Sequence, residues 1–331
     1  MQFRTLGKTG VQISALSFGA GPISTLMTGD DAAQQRAVVQ HAIQSGINWF
    51  DTAATYGQGQ SESNLGRTLH ELGIASSVHV ATKVRLMPAD LDDIPGAITR
   101  SLRDSLQRLN LSQVTLLQLH NSLTRQRGDE STSITPPDVL NPGGVADAFE
   151  KLRAAGLVNY IGLTGIGQPP ALAEVVRSGR FDTIQVPYHL LNPSAGQNMP
   201  ENFPETNYGN VIAVCAKHRL GVLAIRVLAG GALAGNAPSP HTLKTPFFPL
   251  SLYERDLAGA QRLQALLGPD RPLASEAIRF ALAHPQIHSA LIGFGATTQI
   301  DEALQAMALD SAPLDWNATC NSSSSPTTSP I

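Results

Sequence analysis

Asp51, Lys83 and His120 each close an apolar run, in NWFD, VATK and LLQLH, and Tyr56 follows Asp51 by five residues in DTAATYG. A carboxylate, an ammonium, an imidazole and a phenol are side chains that exchange protons or hold developing charge. If they meet at one place, two chemistries are open: acid–base assistance at a reacting oxygen, or attack by the lysine amine as a Schiff-base nucleophile. The second needs a desolvated lysine of low pKa, and a carboxylate from Asp51 beside it would push that pKa the other way. Each residue taken singly has a plainer explanation. An Asp in a strand-end DT commonly caps a turn, a strand-end lysine is usually surface, and a lone histidine is more often a satisfied core residue. The weight lies in their joint occurrence at successive strand ends.

The elements that must bring them together are eight apolar runs of strand length, at 15–20, 48–53, 79–84, 114–120, 160–165, 183–188, 222–227 and 289–294. Each is nearly continuous in apolar or β-branched residues, as expected of parallel strands buried on both faces. Helical periodicity lies between most of them. In 92–109, Ile94, Ile98, Leu102, Leu106 and Leu109 recur every three or four residues on one stripe, and Leu65, Leu69 and Leu72 do so in 62–72. Gly46, Gly73, Gly156, Gly179 and Gly221 each follow a helical segment, where a C-terminal cap favours positive φ. Eightfold strand–helix alternation predicts an α/β fold of the (β/α)8 TIM-barrel type, with a doubly wound open sheet as the second choice. Active sites of such barrels lie at the C-terminal ends of the strands, so Asp51, Lys83 and His120 would face one mouth with Tyr56 folded back over it. Residues 1–14, turning at Gly7-Lys8-Thr9-Gly10, read as a β-hairpin that could plug the barrel floor. Three long connections at the C-terminal face, 121–144, 189–207 and 235–252, are the expected pocket walls.

The 331 residues suit one large barrel over 1–310, and a 42% hydrophobic fraction with 15% charged residues is enough for a sizeable core. A net charge of −3 without a basic run supplies no footprint for nucleic acid. Cys215 and Cys320 fit neither a disulfide framework nor a zinc site and suit a reducing, cytoplasmic compartment. The N-terminal stretch lacks the apolar core of a signal peptide and no run reaches a membrane span, so neither secretion nor a membrane partner is expected. Residues 311–331, ending in SSSSPTTSPI, are too polar to offset their own ordering entropy and read as a low-complexity tail. The sequon Asn317-Ala318-Thr319 within it reads as chance.

DTAATYG, ATK and LLQLH, in this order on successive strands, resemble the Asp, Tyr, Lys and His motifs of the aldo-keto reductases. The similarity runs from residue 3 to about 309 and includes FRTLGKTGVQISALSFGAG, SESNLGRTL and AAGLVNYIGLTG. It implies hydride transfer between a nicotinamide and a small carbonyl or sugar substrate, with Tyr56 as the proton donor to the carbonyl oxygen. A free phenol titrates near pH ~10, and the Lys83 ammonium would stabilise the phenolate that proton transfer leaves, with Asp51 compensating the lysine and His120 orienting the carbonyl oxygen.

On the cofactor side the resemblance implies Thr164 and Gln185 at the nicotinamide carboxamide. Thr164-Gly165 stands where the family commonly has Ser-Asn, and Ile225 where many members carry a stacking tyrosine. Arg226 is either a pyrophosphate ligand or half of a structural ion pair. In ALIGFGATTQIDEAL, the counterpart of the adenosine-binding stretch, Gly293, Phe294 and Gln299 occupy positions that often carry cations in NADP-preferring members, and Glu302 would reach the adenine amino group. With no Lys or Arg between Leu291 and Leu304, NAD is expected over NADP. The pattern is nearest to the sugar-oxidising branch. The alternative is a non-catalytic or regulatory barrel like the reductase-shaped auxiliary subunits of potassium channels. No readable motif identifies the substrate, the direction or the oligomeric state.

Overall fold

The structure, a computed structural model, describes residues 1–314. Strands β1 (Phe3–Thr5) and β2 (Gln12–Ser14) pair antiparallel. The next eight close into a parallel barrel: β3 (Leu16–Gly19), β4 (Trp49–Asp51), β5 (His79–Val84), β6 (Val114–Leu119), β7 (Val158–Thr164), β8 (Thr183–Pro187), β9 (Gly221–Ile225) and β10 (Ser289–Ile292). These are the eight apolar runs. Pairing of β10 back onto β3, with Ala290 opposite Leu16, leaves no edge strand and rules out the open sheet.

Helices α1 (Ala32–Gln44), α2 (Gln60–Glu71), α3 (Ile94–Leu109), α4 (Pro136–Leu140), α5 (Val145–Ala154), α6 (Pro169–Arg177), α7 (Val211–Lys217), α8 (Leu250–Leu267), α9 (Leu273–Ala283) and α10 (Thr297–Ala308) surround the barrel. No helix among the described residues is long and apolar enough to cross a membrane. The α3 stripe is buried as its period requires, and Asp93 caps the helix by accepting from the Gly96 amide at 3.0 Å. A Cβ on Gly66 would lie 2.3 Å from the Leu109 carbonyl oxygen, so glycine is what lets α2 cross the end of α3.

Gly46, Gly73, Gly156 and Gly179 take positive φ after their helices, but Gly221 does not. Arg219 adopts the left-handed conformation after α7, and Gly221 opens β9. Its role is steric, because a Cβ there would lie 2.6 Å from Leu6 Cδ1. The hairpin does close the floor: Leu6 and Ile13 form one buried cluster with Trp49, Ala81, Leu116 and Leu223. Two residues further along their strands stand Asp51, Lys83 and Gln118, so the two-residue period puts a polar layer directly above an apolar one.

The start of the polar tail lies against the barrel. The Ser311 carbonyl accepts from Arg279, and Leu314 packs against the core. Cys320 and the 317–319 sequon lie outside the described residues.

Candidate active site

The polar layer is built around one carboxylate. Asp51 ends β4 with 1% of its surface exposed; one oxygen accepts from Lys83 Nζ, and the other from Gln118 Nε2 at 3.0 Å and Gln185 Nε2 at 2.6 Å. Lys83, equally buried, also donates to the Thr52 carbonyl at 2.8 Å and to the Tyr56 hydroxyl at 3.4 Å, and its Nζ lies 4.9 Å from the centre of the Tyr56 ring. A buried ion pair survives when its remaining valences are filled, and here two amides and a carbonyl fill them. Burial is the largest single influence on Lys83 and lowers its pKa. The charges of Asp51 and of a Tyr56 phenolate, with hydrogen bonds to both groups, outweigh it, so the pKa lies above the ordinary lysine value. The lysine is therefore an ammonium, which removes the Schiff-base reading.

Tyr56 is held by the connection between β4 and α2. Ser61 Oγ at the start of α2 donates to the Ala20 carbonyl at 2.7 Å and lies 2.8 Å from Thr52 Oγ1, while Asn64 Nδ2 donates to the Met27 and Gly29 carbonyls, each at 2.9 Å. Arg108 of α3 donates to buried Glu62 at 2.7 Å and Glu62 accepts from Thr82, which ties α2 to the strand that carries Lys83. His120 follows β6, with its ring edge-on to Tyr56 at 5.6 Å and Nδ1 3.4 Å from Thr55 Oγ1. Burial, then the cations of Arg85 and Lys83, hold the His120 pKa well below the usual imidazole value. It is thus a neutral ring with a single N–H to donate.

Three of these residues, Asp51, Tyr56 and His120, line a cavity of about 1930 Å³, with Lys83 buried behind Asp51 and Tyr56; Thr164, Gln185, Arg226, Gly293, Phe294, Gln299 and Glu302 line it too. Their side chains are not all turned to the cavity. Gln185 donates inward to Asp51, and the Thr164 hydroxyl donates to the Leu119 carbonyl at 3.0 Å. Phe294 is 1% exposed and its ring is 6.0 Å from that of Phe18, so it presents backbone to the cavity. Gln299 Oε1 accepts from the Gly295 amide at 2.7 Å and caps α10. Arg226 pairs with buried Asp256 of α8 at 2.8 Å and stacks 4.2 Å from the Phe248 ring centre. Burial first lowers its pKa, with Asp256 opposing.

Of the three long connections only 235–252 supplies lining residues, because Tyr253 and Asp256 of α8 hold it over the mouth through Asn236 and Arg226. The other two stay outside; 121–144 is folded on itself, where Arg127 pairs with Asp138. Sequence reading missed Gln118, Arg85 and Phe247. A signal was there: Gln118 stands two residues before His120, and Arg85 two after Lys83, so the strand period turns them to the same side.

The cavity exceeds what a small carbonyl compound needs, since drug-sized ligands occupy about 300–1,000 Å³. Gly19, Gly21, Gly230, Gly231, Gly293 and Gly295 line it, and a strip of bare backbone suits a long phosphate-bridged ligand. The lining thus fits a dinucleotide.

A family model described as the aldo/keto reductase family matches residues 15–320. An L-galactose dehydrogenase of Arabidopsis thaliana is 27% identical over 322 residues, covering 95% of this chain and 91% of the relative. A D-threo-aldose 1-dehydrogenase of a Pseudomonas species is 28% identical, covering 91% of each. The holo form of aldo-keto reductase AKR11C1 from Bacillus halodurans superimposes with a TM-score of 0.70 at 23% identity, over 96% of this chain and 93% of that one, a likeness of fold.

Proposed function

The chain belongs to the aldo/keto reductase family, whose members are oxidoreductases, and we propose that it interconverts a small carbonyl compound, such as an aldose or aldehyde, with its hydroxyl partner using Tyr56 as the acid–base group. The observation that carries this reading is the Lys83 ammonium, paired with Asp51 and 3.4 Å from the Tyr56 hydroxyl at the mouth of the cavity. A nicotinamide bound there would supply or accept the hydride. Tyr56 donates its proton to the carbonyl oxygen in reduction and, as phenolate, takes the hydroxyl proton in oxidation. Lys83 stabilises the phenolate in both directions. His120, kept neutral, donates one hydrogen bond to the same oxygen. With their donors engaged by Leu119 and Asp51, Thr164 and Gln185 would hold the carboxamide by accepting from its N–H groups through Oγ1 and Oε1, and the backbone at Gly293 and Phe294 with Glu302 would receive the adenosine half.

Sugar oxidation is supported by the names of two relatives, an L-galactose dehydrogenase and an aldose 1-dehydrogenase. The test is absorbance growth at the reduced-nicotinamide band with NAD and a panel of aldoses. Absence of turnover on every aldose and aldehyde with either cofactor would sink the reading.

NAD is the expected cofactor. No cation lies between Leu291 and Leu304, and the carboxylates Asp270 and Glu302 line the cavity. Lacking one charge-assisted pair to a 2′-phosphate corresponds to roughly ten- to a hundred-fold in affinity. We expect kcat/KM to favour NAD by that factor. Gln299→Arg should narrow the ratio, because it adds charge and frees the Gly295 amide that Gln299 now occupies. Equal use of NADP by the unaltered enzyme, whether through Lys244 or Arg226 on the lining, would overturn this.

A further inference from the structure

A second cation stands at the mouth and has no task in the chemistry above. Arg85 lies two residues beyond Lys83 and lines the cavity with Tyr56 and His120. Whereas Lys83 and Arg226 are paired with Asp51 and Asp256, Arg85 joins no ion pair among the described residues. Its guanidinium carbon sits 4.3 Å from the centre of the Phe247 ring, Nη2 reaches only the His120 carbonyl at 3.5 Å, and Nε is buried without an acceptor. A guanidinium has five N–H donors in one plane. Stacking on a ring fixes that plane and leaves its edge free for a two-oxygen acceptor.

The charge around it is one-sided. Lys244 of the covering loop lines the same cavity, and Asp51 is already committed to Lys83, Gln118 and Gln185. The other lining carboxylates, Asp270 and Glu302, belong to the α8–α9 connection and to α10, which follows β10. In the barrel order β10 stands opposite β6, the strand that presents His120. A neutral sugar or aldehyde would leave the Arg85 donors unanswered beside the reacting carbonyl.

We propose that Arg85 is the specificity-determining residue of the substrate pocket and binds a carboxylate, so that the preferred substrates are carbonyl or hydroxyl compounds bearing an acid group. This rests on the oxidoreductase reading of the same site. Burial lowers the Arg85 pKa and a Tyr56 phenolate opposes this, but a guanidinium stays charged throughout the working range.

The test compares substrates matched except for the acid, succinate semialdehyde against butanal. The wild-type enzyme should prefer the acid by roughly ten- to a hundred-fold in kcat/KM, chiefly through KM, as expected for one charge-assisted pair. Arg85→Gln should collapse that ratio, and Arg85→Lys should retain part of it, keeping the charge without the fork. If Arg85 only props the loop through Phe247, its loss would slow both substrates alike and leave the ratio unchanged, which overturns the proposal. Equal use of the two aldehydes by the wild type does so as well. Calorimetric titration with succinate gives a readout independent of turnover. Binding by the wild type that is lost in Arg85→Gln and partly kept in Arg85→Lys supports the carboxylate site even if no aldehyde turns over, a failure that would fall on the oxidoreductase reading alone. No succinate binding by a wild type that also lacks the preference counts against both the site and its ligand.

Discussion

Lys83 serves both Asp51 and Tyr56 with one ammonium, and substitutions at the two ends of its reach should separate those services. Tyr56→Phe removes only the proton-transfer oxygen, so kcat should fall by about 10²–10⁴ with little change in cofactor affinity. A loss of less than about ten-fold in steady-state turnover would remove Tyr56 from the role. Lys83→Met should be as damaging to turnover and should also lower stability by about 3–5 kcal/mol in urea unfolding, because it leaves the Asp51 charge buried with only the amides of Gln118 and Gln185. Asp51, Lys83 and His120 were legible as candidates because each interrupts an apolar run at its end, and Tyr56 because it follows the first of them in a short connection. Gln118 was passed over although the strand period turns it to the side of His120, because a polar side chain within an apolar run gains meaning only once the barrel supplies an inside. Gln299 was legible as a position but not as a cap, because the amides it accepts from belong to a turn without sequence periodicity.

At the scale of elements, the hairpin and the strands it seals have the most to lose. Leu6 is fully buried, and Leu6→Ala should cost about 2–5 kcal/mol of stability. Gly221→Ala should also destabilise, since its Cβ would lie 2.6 Å from Leu6 Cδ1. The double variant should lose less than the sum, because the shortened side chain makes room for the new methyl. Additive losses in urea midpoints would show that the contact is not what requires glycine. The strands were readable because burial on both faces demands an unbroken apolar run, and the helices because they show one face to the barrel. The connections carry no such demand. That is why 121–144 and 189–207 looked as suitable for the pocket wall as 235–252 until only the last was seen to line the cavity, tied to α8 where Tyr253 donates to the Asn236 carbonyl.

For the whole molecule, imidazoles that resist protonation in the fold, two of them buried (His120 and His189), set an acid limit. His79, His120, His189, His241, His284 and His288 all have lowered pKa values, each led by burial, and His189 is pushed down to about 3. Below the unfolded value near ~6.5 the unfolded chain binds protons that the fold refuses, so stability is full above that pH and declines as pH falls toward the folded values. Each fully buried ring contributes about 1.4 kcal/mol per pH unit in that window. We expect Tm to fall steadily from pH 6.5 to 4.5, and the slope to flatten in His189→Gln. A flat profile would mean that these rings titrate normally in the fold. The hairpin also carries a consequence for how the molecule is made. Arg4 donates to the Ile287 carbonyl at 2.6 Å and the Lys8 amide to the Arg219 carbonyl at 2.8 Å, so during synthesis the hairpin must wait for partners more than two hundred residues behind it. At about 5–20 residues per second that delay lasts roughly ten seconds or more, during which Leu6 and Ile13 are exposed on a nascent chain whose floor is the last part to shut.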